Sequence, residues 1–338
     1  MASRFATLPD YIQGVTYEIW EGRQIASLHR SYGRDMVMRS TTGLIEGTAG
    51  VIRDTLAAQA TFPDREILGD DVIWCGSEAE GYLSSHRSVI TGTHTGHGVF
   101  GPPTGRRVTT RCIADCFVED DVITDEWLCY DFSAMVRQLG HAPEAWAAAT
   151  IEREGGPRTA LRPFTPDQDR PGPYRGTGNG HALGARLADL LSRVMAYDVA
   201  AIEEGYDRAV GLYHAGGVTG WGRAFAAAQW MQLRAAFPDA AFAVHHSIGR
   251  ADRGEPDRAA IRWSLDGVHS GHGVFGPPTG APVHVMGFTH AEFGPWGLRR
   301  EWSLWDEVAI WKQILLHQMR GGAEEAPPVA PTGAPHPA

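Results

Sequence analysis

The chain has 338 residues, 43% of them hydrophobic and 21% charged, which is the balance of a globular protein. A net charge of -10 gives no field to attract phosphate backbones, which argues against a nucleic-acid partner. No apolar run approaches the roughly 18 residues that would span a bilayer, and Met1-Ala-Ser-Arg-Phe-Ala lacks the apolar stretch of a leader, so a cytoplasmic protein without a membrane partner is expected.

In chain order, Tyr11 to Ser31 carries apolar residues at helical spacing, and a second helix, Gly47 to Ala60, runs into Phe62-Pro63-Asp64, where proline ends it. Alternation then predicts strands over Ser84 to Thr95, Val108 to Val118 and Val122 to Asp131, followed by a helix from Phe132 to Leu139. Pro143 to Gly180, rich in Gly, Pro, Arg and Asp, reads as a linker that wraps the surface without folding; its Gly176-Thr-Gly-Asn-Gly-His has no strand before it to make a nucleotide loop. The pattern then restarts with helices over Leu183 to Tyr213 and Gly222 to Ala236, and strands over Ala259 to Ser270, Val283 to Phe293 and Leu298 to Asp306. Gly321 to Ala338, dominated by Pro, Ala and Gly, is expected to be disordered.

This restart is a duplication. His94-Thr-Gly-His-Gly-Val-Phe-Gly-Pro-Pro-Thr-Gly105 recurs as His269 to Gly280 with one substitution in twelve residues, displaced by 175. At the same displacement Phe62-Pro63-Asp64 returns as Phe237-Pro238-Asp239, Glu126-Trp127 as Glu301-Trp302, and Asp131 as Asp306. Two copies of one α+β domain follow, helices first and then an antiparallel meander, with boundaries at 9–140 and 184–318, a linker at 141–183 and a tail at 319–338. Gly-Pro-Pro-Thr-Gly lies between two strands in each copy, either as a turn that shapes a pocket mouth or as a direct ligand contact.

Period-two geometry puts Ile123, Asp125, Trp127, Cys129 and Asp131 on one face of the last strand and Glu126, Leu128 and Tyr130 on the other. An Asp beside a large indole is poorly hydrated, and its raised pKa suits proton transfer; alternatively Asp131 caps the helix that follows. Trp302 and Asp306 repeat the arrangement. On the strand before the turn, His86, Ser88, Ile90, Gly92 and His94 share a face, and copy two has Ile261 for His86 and His269 for His94. Arg39 and Asp115 stand opposite His214 and His290 at the same displacement, so any two pockets differ in polarity. His94-x-x-His97 and His269-x-x-His272 raise the question of a metal, but they lie in a loop without a carboxylate or thiolate at ligand spacing, and no metal is expected. Cys75, Cys112, Cys116 and Cys129 all fall in copy one and read as reduced core or pocket residues.

At these residues the chain resembles the SnoaL-like polyketide cyclase group of the nuclear transport factor 2-like superfamily. The likeness is carried by Gly92-Thr-His-Thr-Gly-His-Gly with Pro-Pro-Thr-Gly-Arg-Arg-Val, by Glu126-Trp127 and Asp131 leading into Met135-Val-Arg-Gln-Leu-Gly140, and by Phe237-Pro-Asp, Arg262-Trp263, His269-Ser-Gly, Glu301-Trp302 and Asp306. It implies two cones of curved antiparallel sheet closed by helices, arranged as an intramolecular pseudo-dimer with room for further homo-oligomerisation. It also implies cofactor-free chemistry on a small molecule, with Asp131 and Asp306 as acid/base groups and His94 and His269 orienting or polarising a carbonyl; His86, on the same strand face as His94, is a further catalytic candidate. Trp127, Trp302, Arg39, Asp115 and His214 would bind substrate. The expected reaction is aldol-type cyclisation, isomerisation or retro-aldol cleavage. Alternatives are hydrolysis by an Asp-activated water, for which Asp115, Asp125 and Arg111 are candidates, and a non-catalytic small-molecule binder.

Overall fold

The protein is described by a computed structural model over residues 4–324, so the expected disorder of the tail falls largely outside the described residues. Copy one runs α1 (Leu8–Trp20), α2 (Leu28–Ser31), β1 (Tyr32–Ser40), β2 (Gly43–Glu46), α3 (Gly47–Thr61), β3 (Glu66–Ser77), β4 (Gly81–Thr93), β5 (Arg107–Glu119), β6 (Val122–Tyr130) and α4 (Phe132–Gln138). After α5 (Pro143–Arg153), copy two repeats the order with α6 (Ala182–Met195), α7 (Ala200–Gly205), β7 (Tyr206–His214), β8 (Val218–Trp221), α8 (Arg223–Ala236), β9 (Ala241–Arg250), β10 (Asp257–Val268), β11 (Pro282–Gly294), β12 (Gly297–Trp305) and α9 (Glu307–Glu324).

Each copy is one six-stranded sheet, in the order β2-β1-β6-β5-β4-β3 and β8-β7-β12-β11-β10-β9. The sheets are mixed, not wholly antiparallel: β1 pairs with β6, and β7 with β12, in parallel. Helix α1 begins where Thr7 accepts from the Asp10 amide and Pro9 occupies the first turn, and it buries Leu8, Tyr11, Ile12, Val15 and Ile19, one stripe at helical spacing, against the concave side.

Two further expectations need correction. The helix expected to reach Tyr213 ends by Gly205, and Tyr206–His214 is β7; a short apolar run fits either period, and its place beside β12 decides for strand. The linker also folds in part. Pro143 opens α5, the run Ala145-Trp146-Ala147-Ala148-Ala149 favours helix, and Ala147 and Ile151 are buried, with α5 packed along α9.

The outer faces of the two sheets meet. Ile113, Trp127 and Cys129 pack on Met286, Phe288 and Leu304, and Ile73, Leu83 and Phe117 on Ile248 and Ala260. Arg262 sits 4.3 Å over the Trp127 ring and its counterpart Arg87 sits 3.7 Å over Trp302, so the contact is reciprocal about a pseudo-twofold axis. The chain thus forms its dimer-like interface internally. That leaves the inner face of each sheet, under its helices, as the place for a site.

Candidate active site

Alternation along β6 sends Asp125, Trp127 and Cys129 to the interface and Glu126, Leu128 and Tyr130 into the cone of copy one. The cone holds a cavity of about 560 Å³. Register stacks the inner face of the sheet in tiers: Ser84, Cys116, Glu126 and Met38; then His86, Ala114, Leu128 and Ser40; then Ser88, Cys112 and Tyr130. Helix α3 closes the cavity with Val51, Thr55 and Ala58, and Val99 and Phe100 reach it from the glycine-rich turn. Thr16, Ile19 and Trp20 of α1 add to this cover, and part of it comes from outside copy one. Trp146, Thr150 and Arg153 of α5 and Val308, Ala309 and Lys312 of α9 line the cavity, and the Lys312 ammonium donates to Glu154 at 2.6 Å.

Glu126 is a strongly perturbed acid in the cavity wall. It is 4% exposed, and burial pushes its carboxyl up to about 8 against the opposing hydrogen bond from Tyr32. Its Oε2 atom has no partner. His86 lines the same cavity, with Ser84 Oγ at 3.4 Å from its Nδ1, and burial lowers it to about 4, so it is a neutral imidazole at physiological pH. Asp306 enters this cavity from copy two; burial raises it to about 7, and it accepts from Thr41 Oγ1 at 3.0 Å and from the Val308 amide at 2.9 Å.

Copy two has the same wall with the space filled. Thr55, Ser88 and Tyr130 have Trp230, Trp263 and Trp305 as counterparts, all buried in one core cluster. Gly287, opposite Trp263, has no room for a side chain, since a Cβ there would lie 2.2 Å from the indole; copy one has Cys112 at that position. Glu301, the counterpart of Glu126, is fully partnered: Tyr206 donates at 2.5 Å, Ser303 at 2.7 Å, and His214 Nε2 lies at 2.7 Å.

Of the residues singled out from sequence, His86 and Asp306 line the cavity. Asp131 does not. It caps α4 by accepting from the Ala134 amide at 3.0 Å, and its carboxylate also accepts from Ser133 Oγ and from the Gly216 and Gly217 amides of copy two, each at 2.9 Å. Burial raises its pKa, but its neighbours are protein groups. Trp127 and Trp302 belong to the interface, as do Asp115, which pairs with His246, and Arg39, which pairs with Asp125 and, at 2.6 Å, with Asp169. Cross-strand register also corrects one equivalence: Arg39 stands beside Trp127 as Tyr213 stands beside Trp302, a displacement of 174, so His214 corresponds to Ser40 and faces the opposite way from Arg39.

His94 and His269 are wholly buried in matching structural roles, with Nδ1 at 3.1 Å from Thr104 Oγ1 and 3.0 Å from Thr279 Oγ1, beside Phe62 and Phe237. The repeated glycines have a packing reason: a Cβ on Gly96 or Gly271 would lie 1.7 or 1.9 Å from the Ala60 or Ala235 carbonyl oxygen.

Sequence reasoning missed Glu126 by assigning the wrong face of β6 to the pocket. The signal was present in the duplication: Ser88 to Trp263 and Tyr130 to Trp305 are small-to-large or polar-to-apolar changes on the inner face, where one copy is hollow and the other full.

The family model for SnoaL-like polyketide cyclases matches residues 11–139 and again residues 187–314. The chain belongs to the SnoaL-like polyketide cyclase family, in two tandem copies. Similar solved structures each correspond to about one copy. IdmH from Streptomyces antibioticus, assigned as a polyketide cyclase, is 25% identical over 39% of this chain and 97% of its own, with a TM-score of 0.35. TsrD from Streptomyces laurentii is 20% identical over 41% and 98%, with a TM-score of 0.35. A SnoaL-like polyketide cyclase from Agrobacterium tumefaciens is 22% identical over 40% and 98%, with a TM-score of 0.32. No curated protein matches the chain at a significant level.

Proposed function

We propose that the cavity of copy one is the active site of a cofactor-independent acid/base enzyme acting on a small hydroxy-carbonyl or polyketide-like substrate, by aldol-type cyclisation, isomerisation or retro-aldol cleavage. The observation that carries this reading is Glu126: a carboxyl with an unpartnered oxygen in a hollow, where its counterpart in the filled copy is saturated. A group near 8 is matched to proton transfer around neutral pH, because it accepts a carbon-bound proton more readily than an ordinary carboxylate and still releases it.

In the cyclising direction the Glu126 carboxylate takes the proton α to one carbonyl, and the enolate carbon bonds to a second carbonyl carbon of the same molecule. The oxygen of that second carbonyl takes the proton back, which restores the carboxylate and leaves an isomer of the substrate. Tyr32, whose hydroxyl hydrogen bonds Glu126, and the neutral His86 line the same cavity and supply hydrogen bonds there. Tyr32 itself stays protonated, since burial raises its pKa well above the usual value.

The test follows α-proton exchange of a naphthyl 1,3-diketone in deuterated water. Wild type accelerates exchange, and Glu126→Gln loses about 10²-fold or more of that acceleration. Equal rates in wild type and Glu126→Gln overturn the assignment. A second reading, with Asp306 as the acid/base, is favoured by its position on the same cavity and its pKa near 7. It predicts that Asp306→Asn, not Glu126→Gln, abolishes exchange. Binding of the diketone with no exchange in wild type would make copy one a small-molecule carrier.

A further inference from the structure

Arg65 lies just before β3, 6% exposed, and lines the cavity of copy one. Its guanidinium stacks between aromatic planes, 4.4 Å over Trp20 and 5.3 Å from Tyr130, and Tyr130 also hydrogen bonds it. Among the described residues it forms no ion pair, and its Nε has no hydrogen-bond partner. Of the other buried arginines, Arg39 and Arg87 have carboxylate partners, whereas Arg234 also lacks one and leaves its Nε unpartnered, but directs its other donors to protein oxygens. Arg39 meets Asp125 and Asp169, Arg87 meets Asp70 and Asp71, and Arg234 donates to the Ala240 and Pro238 carbonyl oxygens at 2.8 Å.

A buried cation without a counter-ion is costly unless something else supplies the anion. Copy two removes the problem along with the space: the counterpart of Arg65 is Ala240, and Trp305 replaces Tyr130. At this position the charge therefore occurs in the copy with a hollow and is absent from the filled one. Stacking holds the planar group in place, which suits the two-point recognition of a carboxylate.

We propose that Arg65 anchors a carboxylate of the substrate, so that the enzyme takes a free aryl or polyketide-type acid, not the corresponding ester or a neutral ketone. Tyr130, which carries the anchor, and Glu126 are four residues apart on one face of β6, about 13 Å along the strand. The acid group and the reacting carbonyl accordingly sit at opposite ends of an extended molecule, on the scale of two or three fused rings. This rests on the cavity of copy one being the substrate site, but not on Glu126 performing the chemistry.

The experiment titrates the full chain by calorimetry with biphenyl-4-carboxylate and with its neutral isostere, biphenyl-4-carboxamide. Wild type is expected to prefer the acid by at least about tenfold, Arg65→Gln to bind both equally, and Arg65→Lys to retain part of the preference. Glu126→Gln should leave the preference intact, which separates failure of the anchor from failure of the acid/base assignment. The proposal is overturned if wild type binds acid and amide equally, if it binds neither, or if the preference for the acid survives in Arg65→Gln. The wild-type comparison stands even if the Arg65 variants do not fold.

Discussion

The two cones share topology and register and differ in what fills them. In copy two the space is taken by Trp230, Trp263 and Trp305, and Glu301 is held by Tyr206, His214 and Ser303. In copy one the corresponding Thr55, Ser88 and Tyr130 leave a hollow, and Glu126 keeps an oxygen free. The same buried glutamate has both oxygens partnered in one setting and an oxygen without a partner in the other, and the difference lies in its neighbours. Copy two still contributes to the cavity of copy one, because Asp306, Val308 and Lys312 line it. A single copy would leave it open on that side.

This contrast can be tested by exchanging its parts. The largest effect is expected from filling the hollow: Ser88→Trp combined with Cys112→Gly should abolish diketone exchange and biphenyl-4-carboxylate binding, both by about 10²-fold or more, while the protein remains folded, since copy two accommodates an indole at that position opposite Gly287. Unimpaired binding in that double variant would show that the cavity is not the site. The converse change, Trp263→Ser, should cost about 3–5 kcal/mol of stability in urea melts by opening a void in the core of copy two, with exchange in copy one unaffected.

Glu301→Gln should cost about 3 kcal/mol or more, because a buried, fully partnered acid loses its match to His214 and Tyr206, again with exchange retained. Glu126→Gln should have the opposite profile, with activity lost and the fold kept. Its pH signature follows from its raised pKa. Folded Glu126 stays protonated up to about 8, whereas the unfolded chain ionises near 4.5, so its contribution to stability is fully present below about 4.5 and is lost as pH rises through about 8. Glu126→Gln should flatten that part of the stability curve, and the wild-type exchange rate should rise with pH along a limb centred near 8. The smallest effect is expected at Asp131: Asp131→Asn should lower stability by about 1–2 kcal/mol through its cap and its contacts with Gly216 and Gly217, and change exchange less than about threefold.

Much of the architecture was legible because it is local or repeated. The duplicated twelve-residue turn, the Phe-Pro-Asp stops and the alternation over β4, β5, β6 and their counterparts indicate two α+β copies directly. The first strand of each sheet was not legible, since β1 and β7 are held by parallel pairing to strands about 90 residues away, and their own residues suit a helix nearly as well. The candidate site was legible only in part. Alternation separated Glu126 from Trp127, but it could not say which face was concave, and the indole drew attention to the face that packs between the copies. Arg65 gave no signal of its own, because its meaning depends on the anion it lacks.

What the sequence determined by itself is the duplication, the fold class and the two-faced character of each strand, all of which follow from periodicity and from glycines and prolines at turns. Which face became interface and which became cavity was decided by tertiary structure, because two outer sheet faces rich in Trp, Phe and paired Arg bury one another and leave only the inner faces to enclose space. Whether that space is open was decided by side-chain volume at three facing positions. In one copy three indoles occupy it, and in the other a serine, a threonine and a tyrosine leave a glutamate and an arginine without protein partners for their free polar atoms.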